Sequence, residues 1–246
     1  MTIRLDTQLP LTSGAVAWGW QLLGERAGAD WEGLNLDLVY GASPAKVERP
    51  TVCIAPAAPE SWRNLVQKTE ATLDWLPAAA VLPAGEALPI GDQLPILFWG
   101  DGAIRAQFAT LISERVCQIH ADILGAAVFM VSRWEETVSD SLDEHGRFPA
   151  SASAAWRHRF LDRPVIDEYA LVLQAWLRHL LPGWQPEPRR FTVQLSHDID
   201  GLRRFTPERG IWRPGGGLRA LAREALNGRP LAQLRDTLRD IGYSRR

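Results

Sequence analysis

Residues 191–201 read FTVQLSHDIDG, and the fold class turns on them. Phe191, Val193 and Leu195 alternate with polar residues, the period of a strand with one buried face. The run ends in Ser196, His197, Asp198, Ile199 and Asp200, so a polar cluster stands at the carboxyl end of that strand, where α/β folds place their ligands. Side chains two apart on extended backbone share a side. Asp198 and Asp200 therefore converge, whereas His197 points away unless the chain turns. Two converging carboxylates repel unless a cation or a shared proton intervenes, which makes a metal site with one aspartate left as general base the natural resolution. A solvated turn or cap pair is the alternative reading of the same residues.

Immediately before this strand, PGWQPEPRR (182–190) places three prolines in nine residues, a semi-extended linker that divides the chain into 1–186 and 187–246. Within the first part, a short helix over 15–23 is expected to stop at Gly24, and LNLDLVYG and TVCIAP read as strands. Residues 61–75 carry Trp62, Leu65, Val66, Thr69 and Leu73 at helical spacing; 76–95 read as Pro/Gly-rich surface connections. Ile104, Phe108, Leu111, Ile112, Val116 and Ile119 predict a helix over 103–119, and 122–136 reads as a further packed helix. Another begins at Asp167, with Tyr169, Leu173, Trp176, Leu177 and Leu180 as its apolar stripe. In the second part, LRALAREALNG and PLAQLRDTLRDIG predict two amphipathic helices, the latter with Leu231, Leu234, Leu238 and Ile241 on one face.

FMVSRWEE (129–136), DEHGRFPASAS (143–153), FLDRPVIDEYALVLQAWL (160–177) and RRFTVQLSHDIDG (189–201) occur in this order. Together they resemble the polysaccharide deacetylase family, in particular members with an additional N-terminal α/β domain ahead of a NodB-homology barrel. The resemblance implies an α/β fold: a mixed N-terminal domain followed by the first strand and helices of an incomplete (β/α) barrel. It also implies metal-dependent hydrolysis of N- or O-acetyl groups on a carbohydrate polymer. Asp198 then maps to the catalytic base and Asp200 to a metal ligand, with His197 beside them as a further ligand. A divalent metal, zinc above all, polarises the acetyl carbonyl and acidifies bound water in such enzymes.

A catalytic zinc takes three protein ligands, and the family draws two from a downstream H-x3-5-H segment. No histidine follows His197. A complete barrel needs roughly 200 further residues. The expectation is therefore a truncated catalytic start and a chain that neither binds zinc nor turns over by itself. A non-enzymatic docking domain is the competing reading. A second alternative is a haloacid-dehalogenase-like phosphatase with Asp198 as nucleophile and Asp200 as general acid.

Composition narrows the partners. With 46% hydrophobic and 23% charged residues the chain is globular, and no run approaches the roughly 20 apolar residues of a membrane span. Nothing at its start resembles a signal peptide, so a cytoplasmic location is expected. From Leu202 onward there are 11 arginines against four acidic residues, a balance of +7; the preceding 201 residues carry 16 basic and 25 acidic, or −9. Those arginines fall on the polar faces of amphipathic helices without aromatic interleaving, which argues against nucleic acid as a partner. Cys53 and Cys117 read as small buried hydrophobes. Of the 11 tryptophans, Trp134, Trp156 and Trp184 flank polar segments, but core packing outweighs sugar stacking. Glu135 and Glu136 beside Arg133 read as a helix-end ion pair that anchors the domain to a barrel.

Overall fold

A computed structural model of the protein describes residues 2–5, 11–41, 46–67, 73–188, 192–196 and 216–243. Its contacts divide the chain into two compact units, 1–190 and 191–246.

In the first unit, β1 (Thr2–Leu5), β2 (Asp37–Tyr40), β3 (Thr51–Ile54), β6 (Ala109–Ser113) and β7 (Val116–Ile119) form a sheet of order β1-β2-β3-β7-β6. The first four in that order run parallel and β6 closes the edge antiparallel to β7. Parallel strands are buried on both faces, and β2 and β3 are buried at every position. Leu38, Tyr40, Val52, Ile54, Cys117 and Ile119 face the main core; Val39, Cys53 and Val116 form a smaller cluster on the other side. The two cysteines thus lie on opposite faces, as the pairing of Cys117 with Val52 requires, and both are fully buried thiols with no disulfide between them.

The helices α1 (Ser13–Ala27), α4 (Ile123–Val131) and α7 (Val165–Leu180) pack together on the main core. Thr12 caps α1 by accepting from the Ala15 N–H. The helix runs through Gly24 and stops at Gly28, whose φ of 68° is the left-handed conformation expected of a helix stop. Gly24 serves packing instead. A Cβ there would lie 2.1 Å from Trp31 Nε1, so only glycine lets that indole pass close enough to donate to the Trp20 carbonyl at 2.6 Å. Trp20 and Leu23 are fully buried, and each contributes about 1.5–3 kcal/mol of apolar burial. Arg26 clamps the Asp167 carboxylate at 2.7 and 2.8 Å, tying α1 to α7. The apolar stripe expected for α7 is buried throughout, and the helix begins two residues earlier than expected, at Val165.

Several expectations are corrected. Of the helix expected over 103–119, residues 109–119 are instead the β6–β7 hairpin, turned at Glu114 and Arg115, and 103–108 are turn and loop. A helical stripe would bury Ile104, Leu111 and Ile112 alike, yet they are 52%, 38% and 59% exposed. The β-branched residues Thr110, Ile112, Val116 and Ile119 suit extended backbone, and β7 finds a partner in β3 that an isolated helix would forgo. The helix α2 (Glu60–Gln67) carries Trp62, Leu65 and Val66 of the pattern expected over 61–75, Thr69 lies outside the described residues, and Leu73 stands outside any helix, directly before β4 (Asp74–Pro77). The supposed surface connections over 76–95 contain α3 (Ala78–Val81) and an antiparallel β4–β5 pair, β5 being Gln93–Ile96. Val81 and Leu94 are fully buried there. The helix over 122–136 breaks at Ser132 and Arg133, and α5 (Trp134–Val138) starts anew.

In the second unit, Thr192–Ser196 joins no strand and is exposed, Leu195 at 91%. The strand expectation fails there because no neighbouring strand takes its ladder groups among the described residues. No barrel forms among those residues either, so the fold shown is α/β without one. The helices α8 (Gly216–Leu226) and α9 (Leu231–Tyr243) pack as a hairpin. Its buried polar centre is Thr237, which donates to Glu224 at 2.6 Å. Leu231 and Leu238 are 81% and 51% exposed, so the inward side of α9 centres on Leu234, Thr237 and Ile241.

Candidate functional site

His197, Asp198 and Asp200 lie outside the described residues. The other segments behind the deacetylase resemblance are described and meet around one cleft of about 270 Å³. Phe129 and Met130 from α4, Arg133, Glu135 and Glu136 from the break after it, and Phe148, Ser153 and Phe160 from the following loop line it. Two contacts give the SRWEE stretch its local logic. Arg133, in left-handed backbone at φ 55°, donates from Nε and Nη2 to the two Glu136 carboxylate oxygens, each at 2.5 Å. Glu135 turns inward and accepts from the Ala154 N–H at 2.7 Å, at the first turn of α6 (Ala154–Arg157). Burial raises the Glu135 carboxyl above its ordinary range against that hydrogen bond and the nearby Arg157 charge, which lower it. The two glutamates thus have separate roles.

The tryptophans divide similarly. Trp134 stands edge-on to Trp62 at 5.5 Å, and Trp184 packs on the main core. Trp156 is 56% exposed.

A second site stands at the carboxyl ends of the parallel strands. Gly41 follows β2, Ala55 and Pro56 follow β3, and His120 follows β7. The Gly100–Ala103 turn closes over them: Gly100 N–H donates to the His120 carbonyl and Asp101 N–H to that of Pro56, both at 2.8 Å. A Cβ on Gly100 would fall 2.3 Å from that of Ala55, so glycine alone permits this approach. Between these loops lies a cavity of about 410 Å³ whose polar lining is Asp101, Gln118 and His120.

Gln118 and His120 project from the face opposite Cys117 and Ile119. The Gln118 amide donates to the Ile119 carbonyl at 3.2 Å, and His120 Nε2 pairs with Thr110 Oγ1 at 3.0 Å. Burial lowers the His120 pKa, so its ring is neutral at pH 7. Directly behind the cavity wall, Asp122 is fully buried and accepts from Tyr40 Oη at 2.9 Å, Ala57 N–H at 2.9 Å and Gly125 N–H at 2.7 Å. Desolvation outweighs these three bonds and lifts its pKa to about 6. The sequence pattern conceals His120 and Asp122 because it fits a helix up to residue 119. Read as a strand, the same residues put His120 at a carboxyl end.

Among the described residues no group of three histidine, cysteine, aspartate or glutamate side chains is arranged to hold a metal. His120 is committed to Thr110, His145 pairs with Glu144, and His179 lies edge-on to Trp176. The described donors therefore do not fit a catalytic zinc. No helix among those residues is long and apolar enough to cross a membrane.

No curated protein and no solved structure matches the chain. Residues 64–182, from α2 to the end of α7, are similar to DUF7033, a family of unknown function.

Proposed function

We propose that this chain belongs to a carbohydrate deacetylase system, with residues 1–190 as the accessory α/β domain and the following segment opening the catalytic part. In this reading Asp198 is the base, and Asp200 and His197 are on the metal side of a site that hydrolyses acetyl groups on a sugar polymer. One observation carries it: the three upstream segments that resemble the family fold around a single cleft, with Glu135 of the first accepting from Ala154 just beyond the second.

The H-x3-5-H segment with which the family completes its zinc site is not among the 246 residues, and the reading expects these residues by themselves to bind no zinc and to release no acetate. No hydrolytic step is assigned to the described residues. A non-enzymatic docking domain is the second reading of the same chain.

Acetate release from chito-oligosaccharides, with zinc content, tests both. The 246-residue chain should release none, whereas the same chain extended along its reading frame to an H-x3-5-H segment should bind zinc and deacetylate. Asp198→Asn should abolish that activity. Turnover by the 246 residues alone would overturn the account of the missing ligands, and a zinc-loaded extended chain without turnover would overturn the deacetylase reading.

A further inference from the structure

The cavity at the carboxyl edge of the sheet has no role in the proposed deacetylation, since it lies apart from the SRWEE cleft and uses none of Asp198, Asp200 or His197. We infer that it is a binding site for a neutral, hydroxyl-rich ring of the pyranose class. Its position is the crevice outside strand carboxyl ends in which open α/β sheets bind ligands. The walls are small: Gly41, Ala55, Pro56, Gly102 and Ala103 leave backbone facing the space. At about 410 Å³ it falls within the roughly 300–1,000 Å³ of small-molecule sites.

The polar lining selects the ligand. Gln118 spends its amide hydrogens on main-chain carbonyls of Ile119 and Cys53, leaving its Oε1 as acceptor. Asp101 adds an exposed carboxylate, and the neutral His120 ring offers one further donor or acceptor. Acceptors dominate and no cationic side chain lines the space, so hydroxyl donors are matched and anions are repelled. Aliphatic ligands would leave His120 and Gln118 without replacement for lost water.

Titration of the 246-residue chain with N-acetylglucosamine, followed by amide and imidazole NMR shifts, tests this. Saturable shifts at Gly41, Gly102 and His120 are expected, with a Kd on the order of 1 mM, as befits a single sugar. Asp101→Ala should weaken binding at least about tenfold, roughly one lost hydrogen bond to a charged group. Ala103→Trp should fill the mouth and abolish it. Asp101 is exposed and Ala103 half-buried, and unchanged melting temperatures will show that the variants fold. Asp198→Asn should bind as the parent does, separating this site from the deacetylase reading. Absence of saturable shifts up to about 100 mM, binding unaltered in both cavity variants, or tighter binding of glucuronate than of N-acetylglucosamine would overturn the inference.

Discussion

Tyr40, the last residue of β2, donates its hydroxyl to Asp122 at 2.9 Å, and that carboxylate also caps α4 through the Gly125 N–H. One buried group thereby fixes the ends of β2, β3 and β7 relative to the helix that follows. Burial raises the Tyr40 pKa strongly, and the phenol stays a donor throughout the accessible pH range.

This arrangement makes stability depend on pH in a definite sense. The Asp122 pKa is raised from 3.8 to about 6, so between those values the folded state holds more protons than the unfolded one. The contribution is complete below about pH 4, is lost as pH rises to about 6, and is constant above; it amounts to about 3 kcal/mol. Urea unfolding from about pH 4 to 7 should show this slope in the parent and not in Asp122→Asn. Tyr40→Phe should cost about 1–3 kcal/mol at pH 7 by removing a donor from a buried carboxylate. Equal slopes in the parent and Asp122→Asn would refute the assignment.

Two glycines of α1 should respond oppositely to alanine. Gly24→Ala drives a methyl into Trp31 and should destabilise the first unit by about 1–3 kcal/mol or more. Gly14 has open space around its Cβ position and lies in the first helical turn, so Gly14→Ala should gain about 0.5–1 kcal/mol. Chemical denaturation of the pair measures both signs.

Glu135→Ala should lower stability by about 1–2 kcal/mol, because the Ala154 N–H loses its acceptor in a half-buried setting. Glu136→Ala breaks only an exposed pair with Arg133, and its melting temperature should stay near that of the parent. If the two variants melt alike, Glu135 does not hold α6 in place.

The thiols should be silent in the native protein. Burial pushes Cys117 up to about 12, and Cys53 is equally inaccessible, so reaction with an aromatic disulfide at about pH 8 should track unfolding. Rapid labelling of either thiol without denaturant would contradict the burial of the sheet.

Local periodicity is enough to read α7, whose stripe from Tyr169 to Leu180 is long and whose burial is one-sided. It is also enough for β2, read from the alternation of LNLDLVYG, and for β3, a short run ended by Pro56. It misreads 103–119, since apolar residues three and four apart fit a helix as well as a bulged hairpin, and only β3 beside β7 decides between them. The same ambiguity conceals the candidate cavity, because His120 acquires its position from the end of a strand.

The amino-acid order alone determined the α/β class, the helix α7 and the apolar setting of both thiols, because each follows from residue spacing within a few turns of chain. Tertiary structure decided the strand order, the conversion of 109–119 into sheet, the stop of α1 at Gly28 and the meeting of Tyr40 with Asp122 across 82 positions. Those depend on which surfaces find one another in space, and desolvation and pairing between distant segments outweigh the weak preferences of any local stretch.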